Sequence, residues 1–378
     1  MAEGTSDTEK YYKILAEKLD ATLQGLSKAG HQGQISETWI EYLRVLIPSG
    51  DVQYLLHLPI FPSMILVPKF AKKIGKTEEE AEAILERLFR SDIVMRNGSK
   101  VKRYALHLPF LLFDVPPLSY DKMAPEKAKK LAELSMKYLV EEEWYRNFEG
   151  SSQTPLTRVI PVQESVPQSQ EILPYEVVAK LVEDAEIIGL QKCACRARLD
   201  FLGKRKCDHP LESCISINHG AEYMIALGHG KQITKEEALR LLKEFNKRGL
   251  IHTTENYGEG SHMLICNCCS CCCSLIGGIT RWKNPRAVAK ANFIATVKAP
   301  ENCTQCNLCV EKCNFKAITL SDDRPQISEE HCMGCGVCVA NCPAEVVELK
   351  RVVREVIYNN LVELGLKVAK ENDRKIVM

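Results

Sequence analysis

The N-terminal third of the chain places apolar residues at helical spacing, interrupted by short polar breaks. Residues 8–30 predict an amphipathic helix that ends near Gly30. A second strong signal begins at Thr77, because Thr77 and Glu80 form a capping-box sequence ahead of an apolar stripe. The stripe consists of Ala81, Ile84, Leu85, Leu88 and Phe89. We expect this helix to run to about Ser91.

After this helix, the spacing of apolar residues changes from helical to the alternating pattern of β-strands. Residues 93–106 read as two short strands around Asn97-Gly98, a pair that favours a tight hairpin turn. Dense apolar segments before this helix predict further compact helices. Three helices followed by a hairpin are typical of a winged helix, so we expect a winged-helix-like domain at 36–149.

A weaker copy of this pattern occurs 157 residues later. Residues 234–238 align with residues 77–81, and a second hairpin is predicted to turn at 257–260 and return along 262–265. We interpret the two regions as related helix–hairpin units.

A proline-rich segment separates the two units. Residues 150–174 contain four prolines among serines and glutamines. Proline fixes φ and lacks an amide donor, so we expect an extended linker wrapped on the surface. Residues 175–188 then predict a short amphipathic helix that leads to Cys193.

Composition narrows the class of protein. The chain has 378 residues, 45% apolar and 26% charged, which fits two or three globular domains. A formal net charge of +1 gives no general attraction to nucleic acid or to an anionic membrane. No signal peptide and no run of about 18 apolar residues is visible, so we expect a cytosolic protein without a membrane span.

The eighteen cysteines point to a more specific class of protein, because they are clustered and the first 192 residues contain none of them. They fall into four groups, at 193–214, 266–273, 303–313 and 332–342. Disulfides suit small secreted domains, whereas clustered thiolates in a cytosolic protein favour metal ligation.

The last two groups both have the spacing C-x2-C-x2-C-x3-C. In such runs three thiolates wrap one [4Fe–4S] cluster, and the fourth reaches the neighbouring cluster. The spacing therefore predicts two [4Fe–4S] clusters, with a structural zinc ribbon as the competing interpretation. Cluster I is expected to take Cys303, Cys306, Cys309 and Cys342, and cluster II is expected to take Cys332, Cys335, Cys338 and Cys313.

These two runs resemble the bacterial two-cluster ferredoxin family over about residues 294–350. The resemblance implies a small pseudo-symmetric α+β module that carries electrons one at a time. Asn314 stands where the family usually has proline. The additional amide donor is expected to shift one cluster's potential and to leave ligation intact.

Ten further cysteines precede this module. They are Cys193, Cys195, Cys207, Cys214, Cys266, Cys268, Cys269, Cys271, Cys272 and Cys273. One interpretation is a set of inert buried thiols with one structural metal such as zinc; the other, which we prefer, is at least one additional iron–sulfur centre. Adjacent cysteines in an extended chain point to opposite faces, so the six in 266–273 are not expected to share one cluster. His209 is either a further ligand or a structural histidine.

The region from about Ser36 to Lys350 also resembles a family of iron–sulfur proteins of anaerobes, which join CxC and CNCCxCCC segments to a two-cluster ferredoxin end. That resemblance implies architecture and no substrate. We expect an α+β fold with a helical, winged-helix-like N-terminal half, a cysteine-rich middle domain and a ferredoxin-like C-terminal module. The expected divisions are an N-terminal helix at 1–35, the winged-helix-like domain at 36–149, the linker at 150–174, the cysteine-rich domain at 175–290, the ferredoxin domain at 291–350 and a C-terminal helix at 351–378.

Three functions are compatible with these features. The first is an electron-transfer protein with redox partner proteins as donor and acceptor. The second is an oxidoreductase that reduces a small substrate at the upstream centre, and the third is a redox-sensing regulator. We expect no specific nucleic-acid partner, because residues 77–92 carry six acidic and two basic side chains.

Overall fold

The computed structural model describes residues 3–22, 34–98, 100–142, 154–162, 165–167, 176–259, 262–322, 324–352, 354, 357–373 and 376. These residues form helices together with antiparallel sheets. Among them, no helix has both the length and the apolar character that crossing a membrane requires.

The N-terminal region consists mainly of helices. Its elements are α1 (Glu3–Asp20), α2 (Glu37–Leu46), α3 (Val52–Leu55), β1 (Ile65–Leu66), α4 (Val67–Ile74), α5 (Glu78–Arg90), β2 (Val94–Asn97), β3 (Arg103–Leu106), α6 (Pro109–Asp114), a 3₁₀ helix (Pro116–Lys122), α7 (Pro125–Met136) and a π-helical turn (Lys137–Glu141). The predicted helix at 8–30 corresponds to α1, and residues 23–33 lie outside the described residues.

The strongest predicted elements of this region are present. The Thr77 side chain accepts the Glu80 N–H, and the Glu80 carboxylate accepts the Thr77 N–H at 3.0 Å, so the capping box starts α5 as expected. Strands β2 and β3 form the predicted hairpin, and β1 adds to β3 as a third strand. The buried rings of Trp39, Tyr42 and Phe113 pack together in the core of this region.

The middle region is built on a sheet with helices packed against it. Its elements are β4 (Thr157–Val159), α8 (Val178–Asp184), β5 (Ile188–Lys192), α9 (Ala194–Phe201), β6 (Glu212–Ile217), α10 (Asn218–Ala226), β7 (Gly230–Gln232), α11 (Lys235–Lys247), β8 (Ile251–Glu255), β9 (Leu264–Cys268) and α12 (Ser274–Thr280). Among the described residues the strand order is β4–β8–β9–β6–β5–β7, with antiparallel pairing throughout. The predicted second helix–hairpin unit is α11 with β8 and β9, but its hairpin forms the centre of this larger sheet.

The expected surface linker at 150–174 requires a correction. Much of it lies outside the described residues, but 154–162 and 165–167 are described. Within them β4 pairs with β8, and Val159 and Ile160 are buried. The prolines were read as surface signals, but here they flank an edge strand whose apolar residues belong to the core.

The C-terminal module contains two antiparallel ribbons. Its elements are β10 (Phe293–Val297), a 3₁₀ turn (Pro300–Asn302), α13 (Leu308–Glu311), β11 (Ile318–Ser321), β12 (Arg324–Ile327), α14 (Val337–Ala340) and β13 (Val347–Arg351), followed by α15 (Leu361–Glu371). Strand β10 pairs with β13, and β11 pairs with β12.

The module repeats its backbone conformation after 29 residues. Gln305 and Asn307 have φ values of 57° and 62°, and the equivalent Gly334 and Gly336 have values of 70° and 74°. A Cβ atom at Gly334 would lie 2.1 Å from the carbonyl oxygen of Phe293, so only glycine fits there. Because these residues have left-handed backbone conformations, each cysteine loop curls around its own centre.

Candidate metal centres

The first ferredoxin set surrounds a small cavity. Cys303, Cys306 and Cys309 of the first run line it together with Cys342 of the second run. The cavity measures about 20 Å³, and apolar side chains from the module complete its wall. The structure thus brings together the four residues predicted to hold cluster I.

The second ferredoxin set is also assembled. Burial raises the pKa of Cys335 to about 12, and the neighbouring Cys332 and Cys313 thiolates act in the same direction. Burial also raises the pKa of Cys338, and the nearby thiolates of Cys335, Cys332 and Cys313 raise it further. The backbone N–H of Ala317 points at the Sγ of Cys313, at 3.2 Å. Such amide donors to ligand sulfur tune cluster potentials.

Four of the ten upstream cysteines form a compact cluster, which we call the four-thiol group: Cys207, Cys269, Cys271 and Cys272. All four Sγ atoms lie within 4.8 Å of one another. The Sγ of Cys272 is 3.6 Å from that of Cys207 and 3.6 Å from that of Cys271. Among the described residues, no other group of potential metal ligands is found with this compactness.

The other six upstream cysteines form a wider arrangement, which we call the six-thiol ring. Each thiol lies close enough to the next for the two to shift each other's pKa, in the order Cys193, Cys195, Cys273, Cys268, Cys266, Cys214 and back to Cys193. No three of these sulfurs meet the 4.8 Å limit that the four-thiol group satisfies. The ring is therefore wider than the ligand shell of a single ion.

Strand β9 explains how the cysteines at 266–273 divide. Cys266 and Cys268 are two positions apart on β9, so their side chains project from the same face of the sheet. The chain turns after Cys268, and Cys273 returns to the ring as the N-cap of α12, where its Sγ accepts the Ile276 N–H at 3.5 Å. The three cysteines within the turn lie with Cys207 instead. This division agrees with the expectation that the six do not share one centre.

Arg196 is a buried cation between the two thiol groups. It is fully buried on α9, and its Nη1 donates to the backbone oxygen of Asn267 at 3.1 Å and lies 3.6 Å from the Sγ of Cys269. Burial lowers the pKa of Arg196, but the thiolates of Cys193 and Cys214 in the ring and of Cys269 outweigh that effect and raise it. One guanidinium therefore neutralises charge on both groups.

A second cavity opens directly on the six-thiol ring. All six ring cysteines line it, and its opposite wall carries apolar side chains from α6 and the following 3₁₀ helix, including Phe110, Phe113 and Leu118. It measures about 150 Å³, compared with about 20 Å³ at the predicted cluster I cysteines.

Asp114 is the acidic residue of α6 that lines this cavity. Its side chain keeps 34% exposure and pairs with Arg198, whose Nη2 lies 3.0 Å from the Asp114 carboxylate. Burial raises the pKa of Asp114 to about 7, the Cys195 thiolate acts in the same direction, and Arg198 opposes both. A carboxyl group with a pKa near neutrality can hold and release a proton at physiological pH.

His209 does not belong to the four-thiol group. Arg205 donates to the backbone carbonyl of His209 and, at 2.8 Å, to that of Cys207. These contacts shape the backbone of the loop that carries Cys207.

The ferredoxin module packs directly on the four-thiol group. Asn314, next to Cys313, accepts the backbone N–H of Ser270 at 3.3 Å and donates to the carbonyl of Gly249 at 2.8 Å. Ser270 lies between two cysteines of the four-thiol group. The asparagine found in place of the expected proline therefore makes one of the contacts between the module and the cysteine-rich region.

Comparisons with known proteins identify the C-terminal module. Residues 302–346, which include all eight cysteines of the two runs, match the family model of the 4Fe-4S dicluster domain. Comparison with the curated proteins and with the solved structures gave no significant match. The chain thus combines a 4Fe-4S dicluster domain with a separate cysteine-rich region.

Proposed function

We propose that this protein transfers low-potential electrons between its dicluster domain and a further iron–sulfur centre held by the six-thiol ring. Redox partner proteins supply the electrons and accept them. The observation that carries the proposal is the contact between Asn314 and Ser270, because it holds the module against the turn that joins the ring cysteines Cys268 and Cys273.

Cluster I is proposed to bind Cys303, Cys306, Cys309 and Cys342, and cluster II to bind Cys332, Cys335, Cys338 and Cys313. Supporting this assignment, the cavity of the first set includes the distant Cys342, and Cys313 lies with the second set. Each set therefore draws its fourth thiol from the other run, as two-cluster ferredoxin spacing requires. Bound clusters would supply one-electron redox chemistry, while the chain supplies thiolates and amide donors.

The six-thiol ring suits a polynuclear centre better than a single ion. Thiolates on a cubane bind different irons at its outer corners, so their sulfurs lie farther apart than those around one ion. The sulfurs of the ring exceed the single-ion limit, as do those of both ferredoxin sets. Soft thiolates, burial and the Arg196 guanidinium give the ring the chemistry that an iron–sulfur centre needs.

Iron and acid-labile sulfide in the anaerobically purified protein test this assignment. The dicluster domain accounts for about eight irons per chain, and a further cubane raises the total to about twelve. Replacing Cys214 of the ring with serine should lower the total by about one to four and keep the eight irons of the dicluster domain, because Cys214 lies in neither ferredoxin set. A wild-type content of about eight irons per chain, unchanged in Cys214→Ser, would contradict the additional centre.

A second candidate function is reduction of a small molecule at the ring. The cavity favours it, because a wall of apolar side chains, including Phe113 and Leu118, faces the ring across it. Its apolar wall suits a small, largely apolar molecule with an unsaturated bond. Reducing that bond takes two electrons, delivered through the dicluster domain, and two protons; the Asp114 carboxyl supplies one proton and water the other.

Small ligands that bind exposed iron separate relay from reduction. Cyanide or carbon monoxide should change the paramagnetic resonance spectrum of the reduced protein if the cavity gives access to the ring centre. Leu118→Trp, which fills the cavity, should abolish that change, whereas Leu366→Trp at an exposed position of α15 should leave it. An unaltered wild-type spectrum would leave relay as the function.

The remaining features are proposed on the same basis. A compartment that keeps thiols reduced suits a chain whose 18 cysteines are all free, and bound clusters are expected to be sensitive to oxygen. The winged-helix-like interpretation of 36–149 is supported by the three-stranded sheet β1–β3–β2 packed against α5. We also propose the division into domains given by the sequence, except that β4 joins the cysteine-rich domain.

A further inference from the structure

We propose that the four-thiol group binds one zinc ion, separate from every iron–sulfur centre of the protein. The ten upstream cysteines then divide into six thiols around a redox centre, of which a cubane takes four, and four ligands for a structural ion. This inference does not depend on electron transfer to the ring, because it rests on a different set of residues.

The distances between the sulfurs carry the argument. Zinc–thiolate bonds of about 2.3 Å in a tetrahedron place the sulfurs about 3.8 Å apart. Two separations within the group, both from the Sγ of Cys272, are 3.6 Å, and all four sulfurs lie within 4.8 Å of one another. The eight ferredoxin cysteines contain no group this compact, so the same structure distinguishes single-ion spacing from cubane spacing.

The ligand set and its surroundings are those of a closed structural site. All four positions are cysteine thiols, which leaves no coordination site open for water or substrate. Zinc binds such ligands more tightly than ferrous iron does, following the general order of divalent metal affinities. The bound ion and four thiolates carry a net charge of −2, which the adjacent Arg196 partly neutralises.

The position of the group explains what the ion would do. Residues 202–211 contain no helix or strand, and Cys207 is the cysteine within them. Cys269, Cys271 and Cys272 follow directly after β9, in the turn that contacts Asn314 of the ferredoxin module. One ion would pin the irregular loop to this turn and so hold the surface on which the module docks.

Metal analysis of the full-length, anaerobically purified protein tests the proposal with a matched pair of variants. Cys207→Ser should lose about one zinc per chain and keep its iron and sulfide. Cys214→Ser, a substitution of the same kind in the ring, should keep zinc. Loss of iron and sulfide from Cys207→Ser with zinc unchanged would overturn the proposal, as would loss of a single iron without sulfide.

X-ray absorption at the zinc edge of the wild-type protein needs no variant and remains decisive if Cys207→Ser does not fold. The expected first shell is four sulfurs at about 2.3 Å, without nitrogen or oxygen. A wild-type protein with no stoichiometric zinc, or with zinc bound by oxygen and nitrogen, would contradict the assignment.

Discussion

The Asn314 Oδ1 accepts the backbone N–H of Ser270 at 3.3 Å, across the boundary between the dicluster domain and the four-thiol group. The same side chain donates to the Gly249 carbonyl at 2.8 Å, so one amide fastens the module to two segments of the middle region. The equivalent position in the second run is Pro343, which lacks this side chain. The repeat therefore departs from symmetry at the residue that makes the docking contact.

Asn314→Ala should weaken this docking and slow electron exchange between the module and the ring. Loss of two hydrogen bonds corresponds to about 1–3 kcal/mol of stability. Iron content should stay at the wild-type value, because Asn314 is not a ligand. Rates of reduction, followed by stopped-flow absorbance, provide the measurement. Ser270→Ala is the matched control, since the donor is the backbone N–H; equal rates in both variants and the wild type would count against the contact.

Cys306→Ser should disable cluster I and spare cluster II. Cys306 belongs to the first set, and the two sets exchange only Cys313 and Cys342. The iron content should fall by about one to four per chain, as the cubane loses a corner or is lost. Cys335→Ser should give the reciprocal change. Paramagnetic resonance of the reduced variants distinguishes the two clusters, and an unchanged spectrum of Cys306→Ser would contradict the ligand assignment.

Arg196→Gln should reduce the metal content of both upstream groups. Removing the buried cation leaves its neighbouring thiolates uncompensated, a change that typically costs about 3–5 kcal/mol. Arg196→Lys retains the charge and should restore part of the metal. Metal analysis of the two variants provides the comparison. Full metal content in Arg196→Gln would show that the guanidinium does not stabilise either group.

The protein should lose stability as the pH falls below about 6.5, partly through His107. His107 is buried after β3 and its Nε2 lies 2.7 Å from the Tyr223 hydroxyl on α10. Burial lowers the pKa of His107 to about 4, so between pH 6.5 and 4 the unfolded chain binds the proton and the folded chain does not. Stability is complete above pH 6.5 and declines below it, by about 1.4 kcal/mol at pH 5.5 from this residue.

Thermal unfolding of the wild type and of His107→Gln between pH 5.5 and 8 measures this effect. His252, with a pKa that burial also lowers to about 4, contributes in the same direction and remains in the variant. The variant should therefore show a shallower pH dependence at a lower overall stability. Parallel curves for the two proteins would exclude His107 as a source.

The N-terminal region should not bind DNA tightly. Helix α5 is strongly acidic, and two basic side chains of the adjacent hairpin are paired with it: Arg96 contacts Glu86 at 2.8 Å, and Lys102 contacts Glu82 at 2.7 Å. Phosphate contacts supply most non-specific affinity for DNA, and these pairs reduce the charge available for them. Sequence-selective gel shifts at physiological salt would contradict this expectation.

Local sequence signals predicted the elements whose formation depends on neighbouring residues. Thr77 and Glu80 predicted the start of α5, because a capping box is formed by residues three positions apart. Asn97-Gly98 predicted the β2–β3 hairpin in the same way. The cysteine spacing at 303–342 likewise predicted the dicluster domain, because each loop wraps its own cluster. These signals do not depend on the rest of the fold.

Features set by distant contacts were not predictable in the same way. The partition of the cysteines at 266–273 depends on where β9 ends and on which thiols approach from 193–214. Asp114 joins the cavity only because α6 packs over the ring, and nothing in its local sequence signals this. The prolines at 155 and 161 suggested a surface linker, whereas pairing with β8 brings the strand between them into the core.

Paramagnetic resonance of the fully reduced protein, compared with Cys214→Ser, tests the central claim most directly. The claim is that the ring holds an iron–sulfur centre within reach of the dicluster domain. The account predicts signals from more than two clusters, magnetically coupled to one another, with the additional signal and its coupling missing in Cys214→Ser. Signals from two clusters alone, identical in the wild type and Cys214→Ser, would contradict it.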